Sequence, residues 1–131
     1  MGDLAARWQE DVIDMRPDVL SVFVGTNDAE RHLGRLLRAD DPKTVPDFDF
    51  ADWERTYRGL LDQARQANPA LKIVLCTPFA APCGKLVEGA LGEYYPLRQR
   101  ILAQCCVSVE RIAADYGATL VPFHRLIADL E

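Results

Sequence analysis

Apolar residues recur along this chain with two spacings, one typical of helices and one typical of buried strands. The first helical series predicts a helix over residues 3–15 and consists of Leu4, Trp8, Val12 and Met15. Because Pro17 pushes Arg16 out of the right-handed helical region, this helix should end near Met15. The first predicted element is therefore a helix that buries one face.

The next segment, residues 19–24, is apolar throughout except for Ser21. A continuous apolar run of this length predicts a strand buried on both faces, which is typical of a parallel sheet. The polar residues 28–48 are then interpreted as a loop, because Asp40-Asp41-Pro42 and Pro46-Asp47 are turn signals.

A second helix is predicted after Asp49, whose carboxylate can cap it, with Asp52 three residues further on. Asn68-Pro69 should end this helix, and residues 71–76 form the second predicted strand. The apolar face of the helix consists of Trp53, Tyr57, Leu60, Leu61 and Ala64.

The last third of the chain contains a loop, a long helix and two short elements. Residues 79–95 have no sustained period and several turn residues, so they predict a long loop with at most one helical turn. A helix follows from Leu97 to Tyr116, and Gly117 should close it. Residues 119–121 are the third predicted strand, and residues 124–130 are a short final helix.

This alternation predicts an α/β fold, a three-layer, flavodoxin-like open parallel sheet of about three strands with helices on both faces. In such sheets ligands bind beyond the carboxyl ends of the strands. Three junctions lie at that end: residues 25–28, residues 78–95 and the turn at Pro122. A functional site is therefore expected where these junctions meet.

The composition fits one domain without a nucleic-acid or membrane partner. A chain of 131 residues with 49% hydrophobic content can bury a single core. The net charge of -5 is spread along the chain and leaves no basic stripe for a phosphate backbone. No apolar run approaches the ~18 residues that a membrane helix needs, and the first residues lack the pattern of a signal peptide.

The cysteine and aspartate patterns indicate neither a disulfide nor a metal site, and no cofactor is expected. The four cysteines form no Cys-x-x-Cys pair, and Cys105-Cys106 are poorly placed for a structural bridge, so reduced thiols and a cytoplasmic location are predicted. A phosphate-binding glycine-rich loop, which an unrelated nucleotide-binding domain would need, is missing from the sequence. The spacing of a calcium loop is not found among Asp40, Asp41, Asp47 and Asp49.

The segment Gly25-Thr26-Asn27-Asp28 carries the strongest chemical signal, because it places an amide side chain where a predicted strand ends. A rigidly held amide can donate to the charge that grows on a carbonyl oxygen during acyl transfer, an effect of roughly 2.7 to 4 kcal/mol per donor. Gly25 would permit a tight turn and close approach of a substrate. Asp28 would accept hydrogen bonds from nearby backbone N–H groups. An ordinary turn is the alternative, since all of these residues favour turns.

The same four residues resemble the third sequence block of the SGNH (GDSL-type) ester hydrolases, in which the asparagine helps to form the oxyanion hole. The resemblance implies that Asn27 is an oxyanion-hole donor and that Gly25 and Asp28 form its scaffold. It extends over nearly the whole chain, in the family's order, through Asp3-Leu4-Ala5-Ala6-Arg7-Trp8, Pro17-Asp18-Val19-Leu20, Trp53-Glu54-Arg55-Thr56-Tyr57 and Thr77-Pro78-Phe79.

The order of blocks in that family implies that residues 1–131 are a single incomplete domain. The Gly-Asp-Ser nucleophile block and the second block would lie before Met1, and the Asp-x-x-His block would lie after Glu131. The implied function is serine hydrolysis of a small-molecule ester, with this chain inactive on its own. The alternative is a non-catalytic remnant or interaction module with the same fold.

The chain's own nucleophiles have poor surroundings for catalysis. Ser21 lies inside the first predicted strand, where a buried and satisfied hydroxyl is expected. Ser108 lies in the middle of a predicted helix. Cys83 lies in the long loop without a base beside it in the sequence, so an inert thiol is expected.

Neither of the two histidines is expected to be a catalytic residue. His124 follows the third predicted strand, but position 121 is valine rather than an aspartate that would orient the ring. A solvated histidine at a helix start is therefore predicted there. His32, just after the glycine-asparagine segment, could face the ligand-binding edge of the sheet or solvent, and solvent is favoured.

One partner is expected from the resemblance, namely a second copy of the chain. In the family the strand equivalent to residues 19–24 pairs on one side with the nucleophile-bearing first strand, so that side would be an open edge here. The segment has no proline or charge and has high β propensity. Self-association through this edge is predicted.

Overall fold

The computed structural model describes residues 1–84 and 87–129. Helices alternate with strands along the chain, as the sequence predicts. The elements are α1 (Gly2–Trp8), which continues as a π-helical turn (Gln9–Ile13), β1 (Val19–Phe23), α2 (Thr26–Arg38), a 3-10 turn (Pro42–Thr44), α3 (Phe50–Ala67), β2 (Lys72–Cys76), α4 (Gly89–Glu93), α5 (Tyr95–Tyr116), β3 (Thr119–Val121) and α6 (Phe123–Ala128).

The three strands form one parallel sheet in the order β1, β2, β3. Val19 pairs with Lys72 and Phe23 with Cys76, while Cys76 also pairs with Val121 on the other side of β2. Within the described residues, β1 is therefore an edge strand. The predicted open parallel sheet with flanking helices is confirmed, but the helices that connect the strands lie on one face of the sheet rather than on both as predicted.

The core lies between the sheet and the long helices. Helix α5 contacts β2 and β3 as well as α2 and α3, so it forms the centre of the helical layer. The strands contribute alternate residues to this core, and the helices contribute the apolar faces that their spacing predicts. The strand residues buried in this core are Leu20, Val22, Ile73 and Leu75, and those of α3 are Trp53, Tyr57, Leu60, Leu61 and Ala64.

The prediction that residues 19–24 are buried on both faces is wrong. Leu20 and Val22 are buried, but Val19 is 56% exposed and Phe23 is 50% exposed on the alternate face. Because the strand order advances in one direction, right-handed crossovers place the connecting helices on the same face of the sheet. A continuous apolar run therefore indicates a strand with two apolar faces, but it does not indicate whether helices pack on both of them.

The prediction of a loop over residues 28–48 is also wrong for its first half, where α2 forms. Ala29, Leu33 and Leu36 follow helical spacing and are buried together, while the positions between them are mostly charged. The apolar stripe is narrow, and the more numerous charged residues of α2 make the segment resemble a polar loop in the sequence. The predicted turn near Asp41 is present, because its carboxylate accepts from Lys43 N at 3.0 Å and caps the 3-10 turn.

The predicted helix boundaries are largely confirmed. Asp49 caps α3 by accepting from Asp52 N at 2.9 Å, and the helix ends before Asn68. Gly117 ends α5 with a φ of 60°, a left-handed conformation that glycine adopts without strain. Arg16 also leaves the right-handed region, with a φ of 49°. The predicted loop over residues 79–95 contains the short α4, but residues 85 and 86 lie outside the described residues, as does the predicted end of α6 at Leu130.

A charged network joins α3 to α5 at the surface of the helical layer. Glu54 accepts from Arg58 Nη2 at 2.9 Å within its own helix and from Arg111 Nη2 at 2.6 Å in α5. The hydrogen bond from Arg111 is the main cause that lowers the pKa of Glu54 from 4.5 to about 2. The carboxylate is therefore stabilised in the folded state more than in the unfolded chain.

We expect Glu54→Gln to lower the free energy of unfolding at pH 7 by roughly 1–2 kcal/mol. A depressed folded-state pKa contributes stability above the unfolded value, so the contribution is complete above pH 4.5 and is lost as the pH falls toward 2. Urea unfolding of both proteins at pH 7, 4.5 and 3 measures this difference. The matched control is Glu10→Gln at an exposed position, and an effect of Glu54→Gln that does not change with pH would contradict the prediction.

Candidate active site at the carboxyl ends of the strands

The segments after β1, β2 and β3 meet at one edge of the sheet, as predicted. Thr26 Oγ1 donates to Phe79 O at 3.1 Å and joins the first junction to the second. The second and third junctions are joined through Thr77 and His124. Phe23 stacks on Phe79 with ring centroids 6.0 Å apart, and Phe123 meets both rings edge-on. A site at this edge can therefore draw on all three junctions.

Gly25 turns the chain from β1 into α2 and is tightly enclosed. Its φ is 122°, and it occupies the N-cap position of α2, where its carbonyl accepts from Ala29 N at 3.0 Å. A Cβ atom at this position would lie 2.8 Å from Pro78 Cγ and 3.5 Å from Trp53 Cζ2. Both the backbone conformation and the available space therefore require glycine.

Asn27 lies on the first turn of α2 rather than in a loop, and its side chain is exposed. No described residue forms a hydrogen bond with its amide group. The amide borders a cleft of about 570 Å³ that Phe23, Phe79 and Arg31 also line. Because the first backbone N–H groups of a helix lack intrahelical partners, this end of α2 favours a developing negative charge.

Asp28 holds the segment in place, but not through backbone N–H groups as predicted. One carboxylate oxygen accepts from Trp53 Nε1 of α3 at 3.2 Å, and the other contacts the amino group of Met1. On the first turn of α2 the Asp28 side chain points away from the local backbone and toward α3. It therefore links two helices instead of closing a turn.

A second link fixes the same end of α2 and was missed by sequence reasoning. Arg98 of α5 is fully buried, and its Nε lies 2.6 Å from Glu30 Oε1 while its Nη2 donates to Glu30 Oε2 at 3.1 Å. This buried ion pair, with its charge-assisted hydrogen bond from Nη2, holds the first turns of α2 against α5. The signal in the sequence is the position of Arg98, which falls on the same helical face as the buried Ile101, Leu102 and Cys105.

His124 is only partly solvated, with a side chain that is 28% exposed, whereas the sequence predicts a freely solvated residue. Its Nδ1 lies 2.7 Å from Thr77 Oγ1, and its Nε2 lies 3.7 Å from Glu110 Oε1 of α5. Burial is the main cause that lowers the pKa of His124, while Glu110 acts in the opposite direction. Thr77 is completely buried, so this ring joins β3 and α6 to β2, and no serine of residues 1–84 and 87–129 lies beside it.

His32 is also buried, so the prediction that it faces solvent is wrong. It lies on the apolar face of α2, is 8% exposed, and meets the Phe48 ring edge-on with centroids 5.8 Å apart. Burial lowers the pKa of His32, and the positive charge of Arg35 lowers it further. Its place on the helix, three residues after Ala29 and one before Leu33, explains the burial.

The serine and cysteine side chains that were considered as nucleophiles do not form a catalytic pair within the described residues. Ser21 is exposed rather than buried, and its Oγ lies 3.9 Å from Cys76 Sγ. Ser108 is buried in α5. Cys83 is an exposed free thiol, and burial raises the pKa of Cys105 to about 12. In the ranges 1–84 and 87–129 no serine hydroxyl contacts a histidine ring.

The four aspartates of the 40–49 region serve in part as helix caps. Asp41 caps the 3-10 turn and Asp49 caps α3, as described above. Among the described residues, no group of three or more His, Cys, Asp or Glu side chains is arranged to hold a metal ion. None of the described helices is long and apolar enough to cross a membrane.

The fold and this site define a parallel α/β protein with an exposed amide donor where its first strand gives way to a helix. The sequence profile of the GDSL-like Lipase/Acylhydrolase family matches residues 1–131. The chain belongs to this family, which confirms the resemblance to SGNH ester hydrolases.

One similar sequence and two similar crystal structures agree with this assignment. An acetylxylan esterase from Geobacillus stearothermophilus is 34% identical over 121 residues, which are 91% of this chain and 47% of that protein. The crystal structure of a catalytic mutant of an acetylxylan esterase from the same organism has a TM-score of 0.73 and 28% identity, covering 98% of this chain and 52% of that chain. A protein from Parabacteroides merdae, described as a GDSL-like lipase, has a TM-score of 0.72 and 26% identity, with 95% and 50% covered. The chain spans about half the length of the relatives it matches.

Proposed function

We propose that this chain is the central portion, an incomplete domain, of an SGNH-type serine ester hydrolase and supplies one donor of its oxyanion hole. The observation that carries the proposal is the Asn27 amide, which is exposed and makes no hydrogen bond to a described residue, on a turn that is otherwise tightly fixed. Gly25 and Asp28 form the scaffold of this donor. The nucleophilic serine and the histidine base belong to the portion of the domain that the relatives have in addition.

In the proposed reaction the serine oxygen attacks the carbonyl carbon of an ester, and the histidine accepts the serine proton. The carbonyl oxygen becomes an oxyanion, to which the Asn27 amide donates a hydrogen bond. The turn that carries Asn27 is held by the Asp28 hydrogen bond and by the enclosure of Gly25, so little backbone reorganisation is needed as the charge develops, and this favours the transition state over the ground state.

The substrate class we propose is a small-molecule acyl ester, and acetyl esters of sugars are the first to test. The name of the Geobacillus stearothermophilus relative supports this choice. The acidic balance of the chain supports a small molecule rather than nucleic acid as the partner. Four free cysteines support a reducing, cytoplasmic location.

The chain by itself should not hydrolyse p-nitrophenyl acetate above the buffer rate, because no serine-histidine pair lies beside Asn27 in the part of the chain that the structure describes. A fusion that adds the nucleophile and histidine segments of the acetylxylan esterase should hydrolyse it with saturable kinetics. Initial rates of both purified proteins test the proposal.

Two outcomes would oppose it. Saturable hydrolysis by the 131-residue chain that survives repurification and disappears in Cys83→Ala or His124→Ala would place the catalytic groups within the chain. A fusion that folds, as judged by circular dichroism and a cooperative unfolding transition, but remains inactive would instead favour a non-catalytic interaction module.

We also propose that the chain associates with itself through the edge of β1. This strand has a partner on one side only within the described residues, and its exposed face carries Val19 and Phe23. Unpaired backbone groups next to exposed apolar side chains favour pairing with a second copy.

A further inference from the structure

We infer that Trp53 is a positioning residue for Asn27, a role that rests on the function proposed above. Trp53 lies in α3, 26 positions after Asn27 in the sequence, and does not border the cleft. Its indole donates to Asp28, the residue after Asn27, and borders the space beside Gly25, two residues before Asn27. Trp53 thus fixes the direction in which the amide points and takes no part in the chemistry.

The first contact is a hydrogen bond to the residue after Asn27. Trp53 Nε1 donates to Asp28 Oδ2 at 3.2 Å, and both side chains are largely withdrawn from solvent. A hydrogen bond to a carboxylate is stronger than one between neutral groups, particularly where water is excluded. It therefore restrains the rotation of the first turn of α2 about the helix axis.

The second contact is steric and involves Gly25. The indole edge lies 3.5 Å from the position that a Cβ atom of Gly25 would occupy, and Pro78 closes the other side. The chain before Asn27 is thus enclosed while the chain after it is tied to α3. A residue between two such points has little freedom to reorient.

The chain contains a natural comparison for the indole bond. Trp8 is as deeply buried as Trp53, yet its Nε1 has no hydrogen-bond partner in the described residues. The protein therefore buries one tryptophan for packing alone, whereas the other also donates to the candidate site. Tyr57 offers a second comparison, because it packs against Trp53 at 5.4 Å and its hydroxyl is likewise without a partner.

The first test is the orientation of Asn27 in the 131-residue chain, measured by NMR and independent of any activity. Trp53→Phe removes the donor and keeps an aromatic ring. It should shift the Asn27 side-chain and backbone N–H signals and lower their order parameters. The matched control Tyr57→Phe, one turn along the same face, should leave them unchanged. Equal effects of the two variants would overturn the inference.

A second pair of variants keeps this test decisive if Trp53→Phe does not fold. Asp28→Leu removes the acceptor from the other side of the same bond and should shift the Asn27 signals. Asp28→Asn keeps an acceptor oxygen and should shift them less. If both change the Asn27 signals equally, the indole bond does not orient the amide.

The second test uses the active fusion and a double-mutant cycle. Trp53→Phe should lower kcat by about ten- to hundredfold and leave KM within about threefold, since a misplaced donor acts mainly on the transition state. In an Asn27→Ala background the same change should have little further effect. Equal loss in both backgrounds would assign Trp53 a general structural role. If Asn27→Ala did not lower kcat in the active fusion, the proposed function would be refuted, whereas the NMR result on the orientation of Asn27 would still stand.

Discussion

Replacing Asn27 by alanine in the active fusion is expected to lower kcat by about 10² to 10³-fold and to leave KM within about threefold. The side chain is exposed and makes no hydrogen bond to a described residue, so its removal costs the fold little. What is lost is a donor whose bond strengthens as the ester carbonyl gains negative charge. Such a loss lowers kcat rather than raising KM, because the donor binds the ester carbonyl of the ground state much more weakly than the oxyanion of the transition state.

Steady-state kinetics of wild type and Asn27→Ala measure this effect, with circular dichroism and a thermal melt to show that both are folded. Gln63→Ala is the matched control, since it removes an exposed amide from α3, away from the cleft. Asn27→Asp keeps the shape but loses the donor and adds a negative charge, so it should be at least as slow. A fusion in which Asn27→Ala behaves like Gln63→Ala would reduce residues 25–28 to an ordinary turn.

Local signals in the sequence predict most of the fold. Capping by Asp49, termination at Gly117 and the buried face of α3 depend on residues close together in the chain, and all three are confirmed. The two wrong predictions concern which apolar surfaces are buried against helices. The sequence shows that β1 is apolar on both faces, but which face meets helices follows from the strand order. In α2 the apolar stripe is narrow, and charged neighbours outnumber it.

In the candidate site, too, the features that depend on neighbouring residues can be predicted from the sequence, and those that depend on distant residues cannot. Gly25 and Asn27 can be recognised because they are adjacent and follow a strand directly. The partners that hold this segment come from distant parts of the chain. Trp53 donates to Asp28, Pro78 encloses Gly25, and Arg98 pairs with Glu30. Nothing in the local sequence pairs a tryptophan with an aspartate 25 positions away. The surroundings of the site thus become visible only in three dimensions.

The chain is also expected to form dimers or larger assemblies through the edge of β1. Its outer edge has no strand partner within the described residues, and residues 19–24 contain neither a proline nor a charge to discourage pairing. Val19 and Phe23 extend the apolar surface next to this edge. A second copy can therefore satisfy backbone hydrogen bonds and bury apolar area in one step.

Light scattering after size exclusion, over a wide range of concentrations, should show a mass that rises above that of the 14.7 kDa monomer. Ser21→Lys places a charge in the middle of the exposed face of β1 and should shift the chain toward monomer, because lysine on an edge strand opposes pairing. Gln63→Lys adds the same charge on α3 and should not. A wild-type monomer at high concentration, with slow amide exchange throughout residues 19–24, would contradict the prediction, since it would require the β1 edge to be covered within one chain.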